Sequence, residues 1–175
     1  LVDWDPPSRD YEFLFNEVFD AVGSIEGLGF DDFDWDFLSM LMEGWGTHVK
    51  EVWLPINEIG DRKGLRFEDG KISMPEEFKD AYKRGVEEGW FATSSKPEHG
   101  GMGAPTLFQA VTWAEFGTST CMSLSVLPAL TTGVYEVLAE HGVSELVDYY
   151  AGNLATGEWA GTMCLTEPHA GTDLG

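Results

Sequence analysis

The run Thr162-Met163-Cys164-Leu165-Thr166-Glu167-Pro168-His169-Ala170-Gly171-Thr172-Asp173-Leu174-Gly175 holds the residues of this chain best suited to chemistry. It reads as an apolar strand that breaks into a turn rich in hydroxyls and glycine. At such a strand end, backbone N–H groups and the Thr166 hydroxyl offer hydrogen bonds to a group on which negative charge accumulates. Gly171 lacks a Cβ and permits that group to approach closely. The plainer reading of the same residues is a strand ending in a proline turn, with Asp173 as a cap.

Other chemistry-bearing residues are less well placed. His48 and His141 lie on expected helices with no partner at ligand spacing, so each reads as an ordinary surface or capping residue. His99 and His169 flank loops near the proposed turn. The pair Glu87-Glu88 and the run Asp31 to Asp36 have no apolar pocket implied around them and read as solvated faces. Thr118-Ser119-Thr120 and Thr131-Thr132 have no adjacent His or Asp pattern for nucleophilic catalysis, and helix-end capping is the expected role. Cys121 and Cys164 are the only cysteines. No C-x-x-C spacing links them to each other or to a histidine pair, which argues against a disulfide scaffold and against a metal site. Cys164 sits between Met163 and Leu165 in an apolar run and reads as a buried structural thiol.

These residues must be positioned by a fold that the composition bounds. A chain of 175 residues makes one domain, or one domain and the beginning of another. With 43% hydrophobic and 13% aromatic residues it is globular. A net charge of −21 with only ten Lys and Arg residues argues against a nucleic-acid partner, whose phosphate backbone needs a surface rich in them. The acidic residues are scattered, as on a solvated surface, and hint at a host living at high salt. No apolar run approaches the roughly 20 residues of a membrane span. The start, Leu1 to Pro7, lacks the regions of a signal peptide, so a cytoplasmic location is the expectation.

Spacing predicts four helical regions and six helices. Tyr11, Leu14, Phe15, Val18, Phe19 and Val22 follow helical spacing over residues 8–22, with Ser8 as N-cap and Gly23 as the stop. A longer stripe runs from Leu38 through Trp45, Trp53 and Ile56, and Pro55 predicts a kink within it. Residues 60–73 are polar and glycine-bearing, a loop with room for a short hairpin. Pro75 begins a helix whose first turn holds Glu76 and Glu77 and whose end holds Lys83 and Arg84. Helix resumes through Leu107, Phe108, Val111 and Ala114, then over Leu124 to His141 and Ser144 to Thr156. Trp159 to Leu165 reads as the first clear strand. The fold class is therefore mainly α, with a helical domain over residues 1–158 and the start of a β domain over 159–175. A lone strand cannot satisfy its own ladder, so a sheet beyond it, or a frayed end, is expected.

Three motifs in order carry a family resemblance. The strand followed by Thr166-Glu167-Pro168, two variable residues and Gly171-Thr172-Asp173 resembles the flavin-contacting segment of acyl-CoA dehydrogenases. Pro97-Glu98-His99-Gly100-Gly101-Met102-Gly103 resembles that family's Pro-Glu-x-x-Gly-Gly-x-Gly loop, one residue shorter before the glycines. Leu154-Ala155-Thr156-Gly157-Glu158 resembles its Leu-x-x-Gly-Glu turn. Thr172 stands where the family usually has Ser, and the helix over 8–22 looks like an extension before the family's first helix. Both features are similar to the larger branch that includes the methylthiopropanoyl-CoA (3-methylmercaptopropionyl-CoA) dehydrogenases.

The resemblance implies an N-terminal helical bundle leading into the first strand of a β-barrel middle domain. It also implies FAD as cofactor and α,β-dehydrogenation of an acyl-CoA thioester to the enoyl-CoA. Met163, Leu165 and Thr166 would line and hydrogen-bond the isoalloxazine, Gly171 and Thr172 would meet the cofactor, and Thr172 would touch the CoA ester. Glu167 would belong to the strand-end turn, and His169 would fall at a variable position. No residue of this chain would be the catalytic base, which the family carries much further along. An electron-transfer flavoprotein or similar acceptor and a homo-oligomer, dimer or tetramer, would be the partners. The competing reading is a non-catalytic helical interaction module, supported by the unpaired strand and the absent base.

Overall fold

The structure is a computed structural model that describes residues 3–109 and 113–173. Val111, assigned above to a helix, lies outside them. Helices α1 (Ser8–Glu12) and α2 (Ala21–Ile25) flank a π-helical turn, Phe13–Val18. The single helix expected over 8–22 is therefore broken. Phe19 closes the π turn, and Asp20 takes a left-handed conformation (φ 44°) that no helix continues through. Pro7, not Ser8, is the N-cap, and Gly23 lies within α2 rather than ending it.

The long stripe forms α3 (Trp35–His48), a π-helical stretch Val49–Trp53, and α4 (Leu54–Lys63). Asp34 caps α3 by accepting the Phe37 N–H at 2.8 Å. The π stretch directly precedes Pro55, whose missing N–H and bulky ring disturb the regular ladder, so the expected irregularity falls one turn before the proline. The glycines of the stripe are packing devices. A Cβ on Gly44 would lie 2.9 Å from Trp90, and one on Gly60 would lie 2.4 Å from Phe78. Buried Trp45, Trp53, Met42, Val49 and Phe116 then fill the main core.

Strands β1 (Arg66–Glu68) and β2 (Lys71–Ser73) make the hairpin for which the loop had room. Asp69 and Gly70 at its tip both have positive φ (50° and 74°), the backbone of a two-residue turn matched to strand twist. Helix α5 (Glu76–Glu87) follows with Pro75 as its N-cap residue, so it starts one position later than the expected Pro75. Its buried Phe78, Ala81 and Gly85 face the core.

The short helix α6 (Thr106–Phe108) is followed by α7 (Ala114–His141), 28 residues long, which contains the helix expected over Leu124 to His141 and extends it back to Ala114. Cys121 (φ −151°, ψ 88°) marks a kink inside it. By length and composition α7 is apolar enough to cross a membrane, which amends the reading that no run approaches such a length. Its buried residues Gly117, Thr120, Cys121, Leu124, Pro128, Thr131 and Tyr135 recur at helical spacing along one face, the pattern of a core helix. Helix α8 (Ser144–Thr156) packs back against α7 around Tyr135, Ala151, Leu154 and Ala155.

The chain is thus mainly α. Trp159 to Leu165 runs extended but has no ladder partner among the described residues, where β1 and β2 form the one sheet. The strand expected there is not formed as a paired element, because nothing described lies alongside to accept its hydrogen bonds.

Candidate functional site

Helix α8 ends where Gly157 (φ 81°) turns the chain beneath Phe91. A Cβ on that glycine would lie 2.7 Å from the Phe91 ring, so only glycine fits the turn. The Tyr82 hydroxyl donates to the Gly157 carbonyl at 2.8 Å and fixes α5 to this corner. From here the chain runs along α7 as an extended segment.

Trp159 packs on Tyr149 and Tyr150 of α8 and donates its backbone N–H to the Asn153 carbonyl at 3.0 Å, and a further hydrogen bond holds the segment to α7. The N–H of buried Gly161 donates to the Thr131 hydroxyl oxygen at 3.0 Å. Thr131, itself buried, donates to the Leu127 carbonyl at 2.9 Å, so its oxygen serves two segments at once. A Cβ on Gly161 would lie 2.9 Å from the Val134 side chain, so this backbone sits as close to α7 as glycine permits. Thr131 and Thr132 had been expected to cap a helix end. Both lie inside α7 and bond back to carbonyls four residues earlier, as do Thr118 and Thr120.

Beyond Gly161 the residues singled out for cofactor contact are open to solvent. Met163 (59% exposed) shares an open apolar groove of about 390 Å³ with Val134, Val137, Leu138 and His141 of α7. Leu165 is 54% exposed and Thr166 is exposed. Glu167 and Ala170 exchange backbone hydrogen bonds at 2.8 and 3.2 Å, and this tight turn brings Gly171 back to Thr166. The position a Gly171 Cβ would occupy is 3.6 Å from Thr166 Cγ2 and 3.9 Å from its Oγ1. Thr172 is exposed beside them.

The structure therefore brings Thr166 and Gly171 together and sets Met163 apart in the α7 groove. Among the described residues, the backbone N–H groups from Thr162 to Thr166 have no partner. A hydroxyl, free backbone donors and a glycine gap suit a flat heterocycle that gains negative charge on reduction, such as a flavin, and the adjacent apolar groove suits its hydrocarbon parts. The residues fit the group that the family resemblance implies. Cys164 is exposed, not the buried thiol expected, because alternation on a strand buries a residue only when a second layer covers it.

The glycine loop after Pro97 is pinned to the same end of α7. Lys96 N–H donates to the Tyr135 hydroxyl at 2.8 Å, and His99 Nδ1 lies 3.0 Å from that oxygen. A Cβ on Gly101 would meet the Ser95 carbonyl at 2.0 Å, so the loop closes only with glycine there. Tyr135 and Thr131, one turn apart on α7, thus hold two of the three motifs. Neither was legible as a site residue, since their partners lie 36 to 39 and 30 positions away.

A second polar cluster lies in the main core. His48, read as a surface residue, is buried (3% exposed) and stacks on Trp45 with ring centres 5.4 Å apart. Its Nδ1 lies 2.7 Å from Glu88 Oε2. Glu88, read as part of a solvated face, also accepts from Arg84 at 2.6 Å and Trp90 at 2.9 Å. Partial burial alone would raise the Glu88 carboxyl, but the bonds from Arg84, Trp90 and His48 outweigh it and hold it at about 2. Burial pushes the His48 imidazole below its usual value, against the opposing pull of Glu88. A neutral ring facing an ionised carboxylate carries its hydrogen on Nδ1, which leaves buried Nε2 without a partner. No group of three or more potential metal ligands exists among the described residues.

The chain is a helical bundle whose last helix hands over to an exposed, hydroxyl-tipped extended segment. The sequence pattern of the acyl-CoA dehydrogenase N-terminal domain matches residues 62–158. The chain belongs to the acyl-CoA dehydrogenase family. It is 36% identical over 172 residues to 3-methylmercaptopropionyl-CoA dehydrogenase of Ruegeria pomeroyi, covering 98% of this chain and 29% of that protein. A butyryl-CoA dehydrogenase of Syntrophomonas wolfei is 28% identical over 180 residues, 96% of this chain and 28% of the relative. The mitochondrial long-chain specific acyl-CoA dehydrogenase of Rattus norvegicus matches at 28% over 99 residues, 55% and 22% of the two chains. The chain thus spans less than a third of the length of these relatives.

Proposed function

We propose that this chain forms the helical wall of the acyl cavity and the flavin-contacting segment of an FAD-dependent acyl-CoA dehydrogenase. The observation that carries the reading is the Thr166–Gly171 turn, set at the end of an extended segment that Thr131 fixes to α7. Bound FAD would supply a two-electron acceptor for the hydride that leaves the β carbon as the α proton is lost. Thr166 would donate its hydroxyl hydrogen, and the adjacent backbone N–H groups theirs, toward the ring edge where negative charge builds up. Gly171 would leave space for the ring, and Met163 and Leu165 would exclude water from its faces. Thr172 would hydrogen-bond the cofactor and reach the CoA ester.

The printed names of the relatives point to acyl-CoA thioesters as the substrate class, with the acyl group left open. In this reading a base from outside these residues takes the α proton, and an electron-transfer flavoprotein or similar carrier reoxidises the cofactor. A cytoplasmic homo-oligomer, dimer or tetramer, is the form proposed.

The test is Thr166→Val in the full-length protein, read by FAD titration and by reduction of the bound flavin with acyl-CoA. Loss of a charge-assisted hydrogen bond should weaken binding or slow reduction by about tenfold or more. Unchanged titration and unchanged reduction would show that the segment does not touch the flavin.

A further inference from the structure

We propose that Cys121 is the joint that aims the site-bearing half of α7, its thiol acting as a positioning residue for the extended segment that Thr131 holds. Its bearing on catalysis rests on the flavin contact proposed for that segment. Helix α7 is two helical segments meeting at Cys121, whose φ of −151° and ψ of 88° fall outside the helical region. A residue so placed stands as an N-cap to the segment that runs on to His141. Its sulfur accepts hydrogen bonds from the backbone N–H groups of Ser123 and Leu124. Donors two and three positions on are those that a capping side chain satisfies, and here a thiol takes the place of the usual hydroxyl or carboxylate. The carbonyls on the other side of the break are satisfied too. The Thr120 hydroxyl shares its hydrogen between those of Phe116 and Gly117, at 2.8 and 3.0 Å. Across the joint, a Cβ on Gly117 would lie 3.0 Å from Ser125 Oγ and 3.1 Å from the Trp53 ring, so the two segments meet closely.

Cys121 is fully buried, and burial pushes its thiol above the usual value against the pull of its own hydrogen bonds. A neutral thiol out of reach of solvent is inert as a nucleophile and serves as a fixed acceptor. The main core cluster reaches along α7 as far as Leu124, whereas Tyr135 belongs to a separate cluster with Ala151, Leu154 and Ala155 of α8. Between the two clusters the joint sets the course of the helix. Thr131, which accepts the Gly161 N–H, lies ten residues beyond Cys121, about 15 Å along the axis. A tilt of about 4° at the joint moves that clamp by about 1 Å. A misplacement of this size in an active site can cost about 100-fold in rate.

The experiment compares the full-length protein as wild type, Cys121→Ala and Cys121→Ser. Hydrogen exchange of the backbone amides over residues 159–166 reads the clamp, and reduction of bound flavin by acyl-CoA reads the site. Cys121→Ala removes the acceptor, so exchange in that segment should quicken about fivefold or more and flavin reduction should slow about tenfold. Cys121→Ser restores an acceptor and should stay within about twofold of wild type in both. Unchanged exchange in the alanine variant overturns the proposal, as does a serine variant that behaves like the alanine one. Faster exchange with unchanged reduction supports the joint and overturns instead the flavin contact of the segment. Should Cys121→Ala fail to fold, Ser123→Pro removes one of the two N–H donors from a first helical turn, where proline is tolerated. Faster exchange over 159–166 in that variant supports the joint, and unchanged exchange overturns it.

Discussion

Helix α7 has a closed end and an open end, and the difference separates structural hydroxyls from those that build a site. At the closed end, Phe116 and Cys121 are fully buried against the aromatic core, and Thr118 and Thr120 bond back to their own helix. Their hydroxyls satisfy local carbonyls and offer nothing to another segment. At the open end, Thr131 makes the same backward bond and also accepts the Gly161 N–H, while Tyr135 holds the glycine loop. Residue type is the same at both ends. What distinguishes a site-building threonine is a second partner distant in sequence.

The closed end should show the largest response to mutation. Trp45 is 2% exposed, stacks on Trp113 with ring centres 5.0 Å apart, and donates to the Trp113 carbonyl at 3.2 Å. Trp45→Ala should cost about 3–5 kcal/mol in urea denaturation, the usual loss for a large buried aromatic. A loss below about 1 kcal/mol would mean that the aromatic cluster is not the core of the fold.

At the open end, Gly161→Ala and Thr131→Val strike the same clamp from its two sides. The alanine Cβ would press on Val134 and should cost about 1–3 kcal/mol. Thr131→Val keeps the shape but leaves the Gly161 N–H buried without an acceptor, again about 1–3 kcal/mol. Thr132→Val, which removes only a backward bond to Pro128, is the control and should stay within about 0.5 kcal/mol. Equal effects at positions 131 and 132, read from denaturation midpoints, would erase the distinction between the two kinds of threonine.

Acid separates the regions further. The folded His48 lies below the ordinary imidazole value of 6.5, so the unfolded chain binds its proton more readily. Its contribution to stability is complete above about pH 6.5 and declines as the pH falls below that value. Glu88 falls from 4.5 to about 2 on folding, so its contribution holds above 4.5 and is lost as the pH drops toward 2. Tryptophan fluorescence of the core should therefore report two descending steps in stability, and His48→Phe should remove the upper one. A flat profile between pH 7 and 5 in the wild type would contradict a buried neutral imidazole.

What the sequence revealed followed the range of the forces involved. Helix α5, helix α8 and the hairpin are set by neighbours a few residues apart: Glu76 and Glu77 in a first turn, Gly157 at a C-terminus, Asp69-Gly70 in a two-residue turn. The break at Asp20 and the helical stretch from Ala114 to the Cys121 kink of α7 were missed because packing, not propensity, decides them. The His48–Glu88 pair spans 40 positions and carries no spacing signal. Cys164 was misassigned because alternation states that a strand has two faces, not that either is covered. The turn joining Thr166 to Gly171 was legible in its proline, glycine and hydroxyls, whereas its anchor on Thr131 was not.

The smallest expected stability effect is therefore the most diagnostic of function. Thr166 is exposed and makes no hydrogen bond to another described residue, so Thr166→Val should change the denaturation free energy by no more than about 0.5 kcal/mol. Thr131→Val should lower stability and flavin retention together, since it releases the segment that carries Thr166. A variant that loses flavin affinity at unchanged stability identifies a contact, while one that loses both identifies a support. If Thr166→Val instead destabilises the protein as much as Thr131→Val does, the turn is a structural corner, and the flavin must be held by other residues.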